Sequence, residues 1–197
     1  MVPLLVAISS LAQRGAVVHP TDLADLTNRA QTIIRARVVS ARLEPHPQFK
    51  DLQTVVLTLA VKEAYKGNPS STMTIRQFVW DIRDKMDSMG YRKGQEYTLF
   101  LNPTTMYGLT STTGLDQGRF RISADSAGNE VVVNNVGNYG LLGESNSVEW
   151  AGKPSVGSVQ STTPQPPSTS GGVSSLPTGT IPVTHFVKAI KSYVSSK

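Results

Sequence analysis

The sequence predicts a mainly β, antiparallel fold, a barrel or a sandwich, on three observations. Short runs of alternating apolar and polar residues recur through residues 21–151, each offering one face to a core and one to water. Gly, Pro or Asn separates successive runs. No helical pattern between them is long enough to be the crossover that a parallel sheet needs.

The elements follow in order. Residues 2–11 are an apolar run that closes on Ser10-Leu11-Ala12, with small residues where signal peptidase accepts them. A bilayer span takes roughly 20 residues, so the run is too short to cross. Residues 1–12 are therefore expected to be a truncated signal segment, with a frayed or packed terminal segment as the alternative. Thr21 is a cap-type residue ahead of Asp22 and Asp25, which predicts a short helix to about Arg29. Ile34, Ala36 and Val38 alternate with Arg35 and Arg37, and Val55, Leu57, Leu59 and Val61 alternate with Thr54, Thr58 and Lys62. These are two strands, and Pro45-His46-Pro47 marks the loop between them, because proline lacks a ladder donor. Lys66-Gly67-Asn68-Pro69 is a turn. Further strands are predicted over residues 73–80, 97–101, 107–111, 119–124 and 130–134. Residues 81–94 form a charged, solvated connector.

The composition then shifts. Residues 152–181 contain 12 Ser or Thr, 5 Pro and 5 Gly, with Lys153 the only charge, which predicts a disordered linker. Residues 182–197 regain a helical period. Phe186, Val187, Ile190, Tyr193 and Val194 fall on one stripe, with Lys188 and Lys191 outside it. A helix this short is marginal alone, so the stripe is expected to dock on its own domain, a partner or a membrane surface being the alternatives.

The chain has 197 residues, no Cys, 19 Lys+Arg and 14 Asp+Glu. The missing Cys excludes disulfide scaffolds and Cys-ligated metals. A pI of 9.6 invites an acidic partner. Residues 21–151, however, carry all 14 acids and 14 of the 19 bases, so the predicted domain is neutral and the excess lies in the appendages. That moves any electrostatic partner toward the C-terminal helix. His19, His46 and His185 are scattered, and no zinc-protease, nucleophile-elbow, phosphate-loop or EF-hand motif occurs. Gly137 to Gly143 reads as a glycine-rich turn rather than a phosphate loop, because no helix pattern follows. Asp81, Asp84 and Asp87 read as a solvated loop rather than a cation site. Arg119 and Arg121 alternate with Phe120 and Ile122, an ordinary solvent-face pattern, with an anion site as the alternative. No catalytic, cofactor or metal residue is expected, and no transmembrane helix.

Asp22-Leu23-Ala24-Asp25-Leu26 leads into Ile33-Ile34-Arg35-Ala36-Arg37-Val38-Val39, and a strand ends in Lys62-Glu63-Ala64-Tyr65-Lys66-Gly67. Lys93-Gly94-Gln95-Glu96-Tyr97-Thr98-Leu99-Phe100-Leu101 and Gly118-Arg119-Phe120-Arg121-Ile122 follow. This order, over about residues 21–142, resembles a small β-barrel domain of uncharacterised exported bacterial proteins. Its barrel is similar to the OB-like fold of netrin modules and tissue inhibitors of metalloproteinases. The resemblance implies an antiparallel OB-like barrel with a short N-terminal helix and a C-terminal amphipathic helix. It also implies a noncatalytic binding or accessory module, secreted or periplasmic, that contacts a protein or envelope component. The animal inhibitors act through an N-terminal Cys that chelates their target's zinc, and this chain has none, so that mechanism does not carry over.

The expected contact surface is Arg76, Phe78 and Trp80 on one face of the third strand, with Arg83, Lys85, Arg92 and Lys93 from the connector. Aromatics interleaved with bases also suit single-stranded nucleic acid on an OB-like face. Phe and Trp are more often buried, however, so nucleic acid is the disfavoured partner.

Overall fold

The computed structural model describes residues 20–79, 90–142 and 179–196. The predicted signal segment, the stretch 80–89 and residues 152–178 of the predicted linker lie outside them. Helix α1 (Leu23–Arg29) is followed by β1 (Thr32–Pro45), β2 (Gln53–Lys66), β3 (Thr72–Phe78) and β4 (Glu96–Leu101). A 3-10 turn (Leu115–Gly118), β5 (Arg119–Ala124), β6 (Glu130–Asn134), β7 (Ile181–Pro182) and α2 (Val183–Ser195) follow among the described residues. Asp22 rather than Thr21 caps α1, accepting from the Asp25 amide at 2.7 Å. Thr21 instead donates its amide to Gln117 Oε1 at 2.8 Å.

All seven strands form one antiparallel sheet in the order β3-β2-β1-β4-β5-β6-β7. The end strands β3 and β7 do not pair, so the sheet is open. Register shifts near Ile33, Arg35 and Val38 interrupt the β1–β2 ladder, and such bulges bend a strand and increase its twist. At the far end of this hairpin, Gly67 has φ +80°, and a Cβ there would lie 3.1 Å from Thr32 Oγ1 and 3.3 Å from the Gln31 carbonyl.

The two faces of the sheet carry separate cores. On the first, Ile33, Phe100, Phe120 and Val132 meet Leu23 and Leu26 of α1 and Phe186 and Ile190 of α2. Phe120 stands 5.4 Å from Phe100 and 4.6 Å from Phe186 between ring centroids. On the second, Ile34, Ala36 and Val38 of β1 pack with Val55, Leu57 and Leu59 of β2, Ile75 of β3, and Leu99 and Leu101 of β4. The stripe read from the C-terminal sequence is the surface by which α2 docks on its own domain. Phe186 and Ile190 are fully buried, and Val187, Tyr193 and Val194 pack around them.

Two boundaries and one strand differ from expectation. Ile181, assigned to the linker, pairs with Val132 in β7, and Pro182 belongs to that strand, so α2 begins at Val183. Residues 107–111 form no strand. The Leu109 carbonyl accepts from the Thr105 amide at 2.8 Å and the Thr105 carbonyl from the Gly108 amide at 2.9 Å, a local turn, while the Thr110 amide donates to the Arg76 carbonyl on β3 at 2.7 Å and the Ser111 carbonyl accepts from the Asn102 amide at 2.9 Å. Thr112 alone makes a bridge, to Leu101.

Truncating Phe186 to Ala is expected to cost about 3–5 kcal/mol, because a large buried ring leaves a cavity between α2 and β5. Lys188→Ala, on the exposed side of α2, should change stability by less than about 0.5 kcal/mol. Urea unfolding compares the two, and equal midpoints would mean that α2 does not dock through this stripe.

Candidate functional site

The site is built from the start of β5. A Cβ on Gly118 would lie 2.2 Å from the Thr113 carbonyl oxygen, so only glycine lets the 3-10 turn close there. From that turn β5 leaves with Arg119 opposite Leu99 and Arg121 opposite Tyr97 on β4. Both arginines therefore sit on the face that carries the second core, and β5 continues that face with guanidinium groups in place of apolar side chains. The solvent-face reading fails for Arg119, which is 7% exposed. Its guanidinium lies 4.7 Å from the centroid of the Tyr91 ring and 2.9 Å from Asp116 Oδ1.

Tyr91 links distant parts of the sheet. Its hydroxyl donates to Gln77 Oε1 on β3 at 3.1 Å, while its ring sits under Arg119 of β5 and 5.3 Å from the Tyr97 ring of β4. Burial pushes the Tyr91 phenol up to about 12, so it stays a neutral donor. The turn behind it is tied to β1, with the Gly94 amide donating to the Val38 carbonyl at 2.8 Å and the Val38 amide to the Gln95 carbonyl at 3.0 Å.

Across from β5, the turn after β6 forms the far wall. The Asn138 amide donates to Asn134 Oδ1 at 2.7 Å, and the Asn134 amide to Asn138 Oδ1 at 2.9 Å. Asn138 sits at φ 60°, a conformation that its short polar side chain tolerates. Over its described residues, 137–142, the glycine-rich stretch is thus a turn, as the sequence indicated, and the reciprocal asparagines hold it.

Between these walls lies a cleft of about 580 Å³, lined by Arg92, Gln95, Tyr97, Asp116, Arg119, Arg121, Asn134 and Asn135 among others. Burial raises the Tyr97 phenol, and the positive charges of Arg119, Arg121 and Arg92 all act against that rise. Three cations thus line the cleft together with this ring. Charged hydrogen-bond donors are what the arrangement offers.

The predicted contact residues divide. Arg92 lines this cleft, and it borders a second depression with Lys93, Glu96 and Glu130. Arg76 and Phe78 do share a face of β3, half-buried, while Ile75 and Gln77 take the core side. Arg76 is committed to its own sheet: it donates to Thr54 Oγ1 at 2.6 Å and pairs with Glu44 at 3.3 Å. The structure does not join Arg76 and Phe78 to the cleft lining. Trp80, Arg83 and Lys85 lie outside the described residues. The sequence offered Arg119 and Arg121 as an anion site only as the alternative to a solvent face, and Tyr91 and the Asn134–Asn138 pair were not legible as a site. The available signal was the Arg-x-Arg spacing, which fixes a shared face but not which face.

Two further clusters stand out. On the first face, beyond the helices, Glu96 accepts from Arg35 at 2.8 Å, from Arg37 at 2.7 Å and from Lys62. Arg35 also reaches Glu130 at 2.6 Å. At the β1–β2 tip, His46 is buried, and its Nδ1 accepts from the amides of Gln48 and Phe49 at 3.2 Å each. The proton therefore sits on Nε2, which donates to the Tyr107 carbonyl at 2.8 Å. This pins two loops together and presents Phe49, Tyr107 and Met106 at 46%, 48% and 87% exposure. Phe49 stacks on His46 at 5.1 Å and meets Tyr107 edge-on at 5.4 Å.

Among the described residues, no group of three or more acids or histidines could hold a metal ion, and no helix is long and apolar enough to cross a membrane.

Burial pushes the Glu96 carboxyl up, but the bonds from Lys62, Arg37 and Arg35 outweigh it and hold the group at about 2 against 4.5. The unfolded chain takes up this proton first on acidification, so the stability Glu96 confers is present above about 4.5 and lost as pH falls toward about 2. Urea midpoints across that range should fall less steeply in Glu96→Gln than in the wild type, and parallel slopes would refute the assignment. No protein-family model, curated protein or solved structure matches this chain.

Proposed function

We propose that this chain is a noncatalytic binding or accessory module that acts outside the cytoplasm and contacts a protein or an envelope component. In this reading the curled sheet is an OB-like barrel, with Tyr91 bridging β3 and β5 where strand pairing does not. The observation that carries it is the loop-tip patch of Phe49, Tyr107 and Met106. Exposed large apolar groups usually occur singly, and a contiguous patch of them marks an interaction surface. Aromatics and Met are also enriched in protein interfaces. His46 fixes both loops through three hydrogen bonds, so little conformational entropy remains to be lost on docking.

The test uses the full chain, immobilised and exposed to the envelope fraction of its native cells. Wild type should retain a component that Phe49→Ser/Met106→Ser loses, since truncating a central interface anchor costs about 2 kcal/mol or more. The two proteins should unfold at similar urea concentrations, because both side chains are exposed. Equal retention by both would refute the patch as the contact.

A further inference from the structure

We propose that the cleft between β4, β5 and the turn after β6 binds a small, multiply charged anion through a carboxylate or phosphate group held by Arg92, Arg119 and Arg121. This goes beyond the function proposed above, which rests on the loop-tip patch and other residues.

Charge bookkeeping within the cleft comes first. Asp116 is the one carboxylate among the described lining residues, and it is engaged by Arg119 at 2.9 Å. The described residues give Arg92 and Arg121 no carboxylate partner, although elsewhere in the domain Arg29, Arg35, Arg37, Arg42 and Arg76 all have one. Among the described residues, two guanidiniums thus lie in the cleft without a carboxylate, beside a third that is buried. Like charges gathered this way repel one another, and an anion seated between them relieves that repulsion.

Geometry supplies the second part. Arg119 cannot swing away, because Tyr91 and Asp116 hold its guanidinium and Gly118 fixes the strand behind it. Arg121 is two residues on along the same face, and Arg92 enters from a turn anchored to β1. A planar guanidinium fork matches carboxylate and phosphate oxygens with two parallel bonds, which an ammonium group does not. The volume, about 580 Å³, falls within the range of small-molecule sites, roughly 300–1,000 Å³. The charged cluster around Glu96 differs, because its cations already share Glu96 and Glu130.

The experiment titrates the full chain at low ionic strength with inorganic phosphate and, separately, with citrate, read by calorimetry. Arg121→Gln and Arg92→Gln are the test variants, both at exposed positions, and Lys188→Gln on α2 is the control. Saturable binding of at least one probe is expected, weakened roughly tenfold or more in each arginine variant and unchanged in the control. Preference for citrate assigns carboxylate, and preference for phosphate assigns a phosphoryl group. No saturable binding of either probe would overturn the proposal, as would equal loss in the Lys188→Gln control. Neither outcome bears on the loop-tip patch, whose variants leave all three arginines in place.

Discussion

The central strands β1 and β4 are buried on both faces, and the rest of the structure accommodates that constraint. Ile33 and Phe100 belong to one core, and their chain neighbours Ile34 and Leu99 to the other. A strand pair of this kind has to be covered twice. The chain covers the first face with α1 and α2, and on the second the side chains of β1, β2, β3 and β4 pack on one another and on Tyr91. The terminal helix is thus a structural half of the first core.

The candidate site arises where the second solution runs out. β2, β1 and β4 present Leu57, Ala36 and Leu99 to the inner core, but β5 presents Arg119 and Arg121 in the corresponding positions. Burying Arg119 without partners would be costly, and Asp116 and the Tyr91 ring offset that cost. The same Tyr91 reaches Gln77 on β3, so one side chain ties β3 to the Arg119 that lines the cleft. Site and fold are coupled at that residue.

How much was legible in the sequence follows from which forces are local. The alternation of Val55, Leu57 and Leu59 and the stripe of Phe186 and Ile190 report burial directly, because strand and helix periods are set by the backbone. Pro45 and Gly67 reported chain reversal in the same way. Arg119 defeated this reading, since alternation fixes which residues share a face and tertiary packing decides which face is inside. Residues 107–111 looked like a strand by residue type, but hydrogen bonds within 105–109 make a turn there, and only single bonds, from Thr110 to Arg76 and from Asn102 to Ser111, follow it. Asn134 and Asn138 act through reciprocal side-chain-to-backbone bonds, which no periodicity encodes. Even the neutral charge of residues 21–151 conceals a sorting by face, with Glu96 and Glu130 gathering Arg35, Arg37 and Lys62 while Arg92 and Arg121 line the cleft.

The claim that two cores share one pair of strands is tested most directly by native-state amide hydrogen exchange in increasing denaturant. The amides of residues 33–38 on β1 and 97–101 on β4 should be the slowest in the chain and should merge into a single exchange isotherm at the free energy of global unfolding. Exchange of β1 and β4 through separate openings, well below that free energy, would contradict the account.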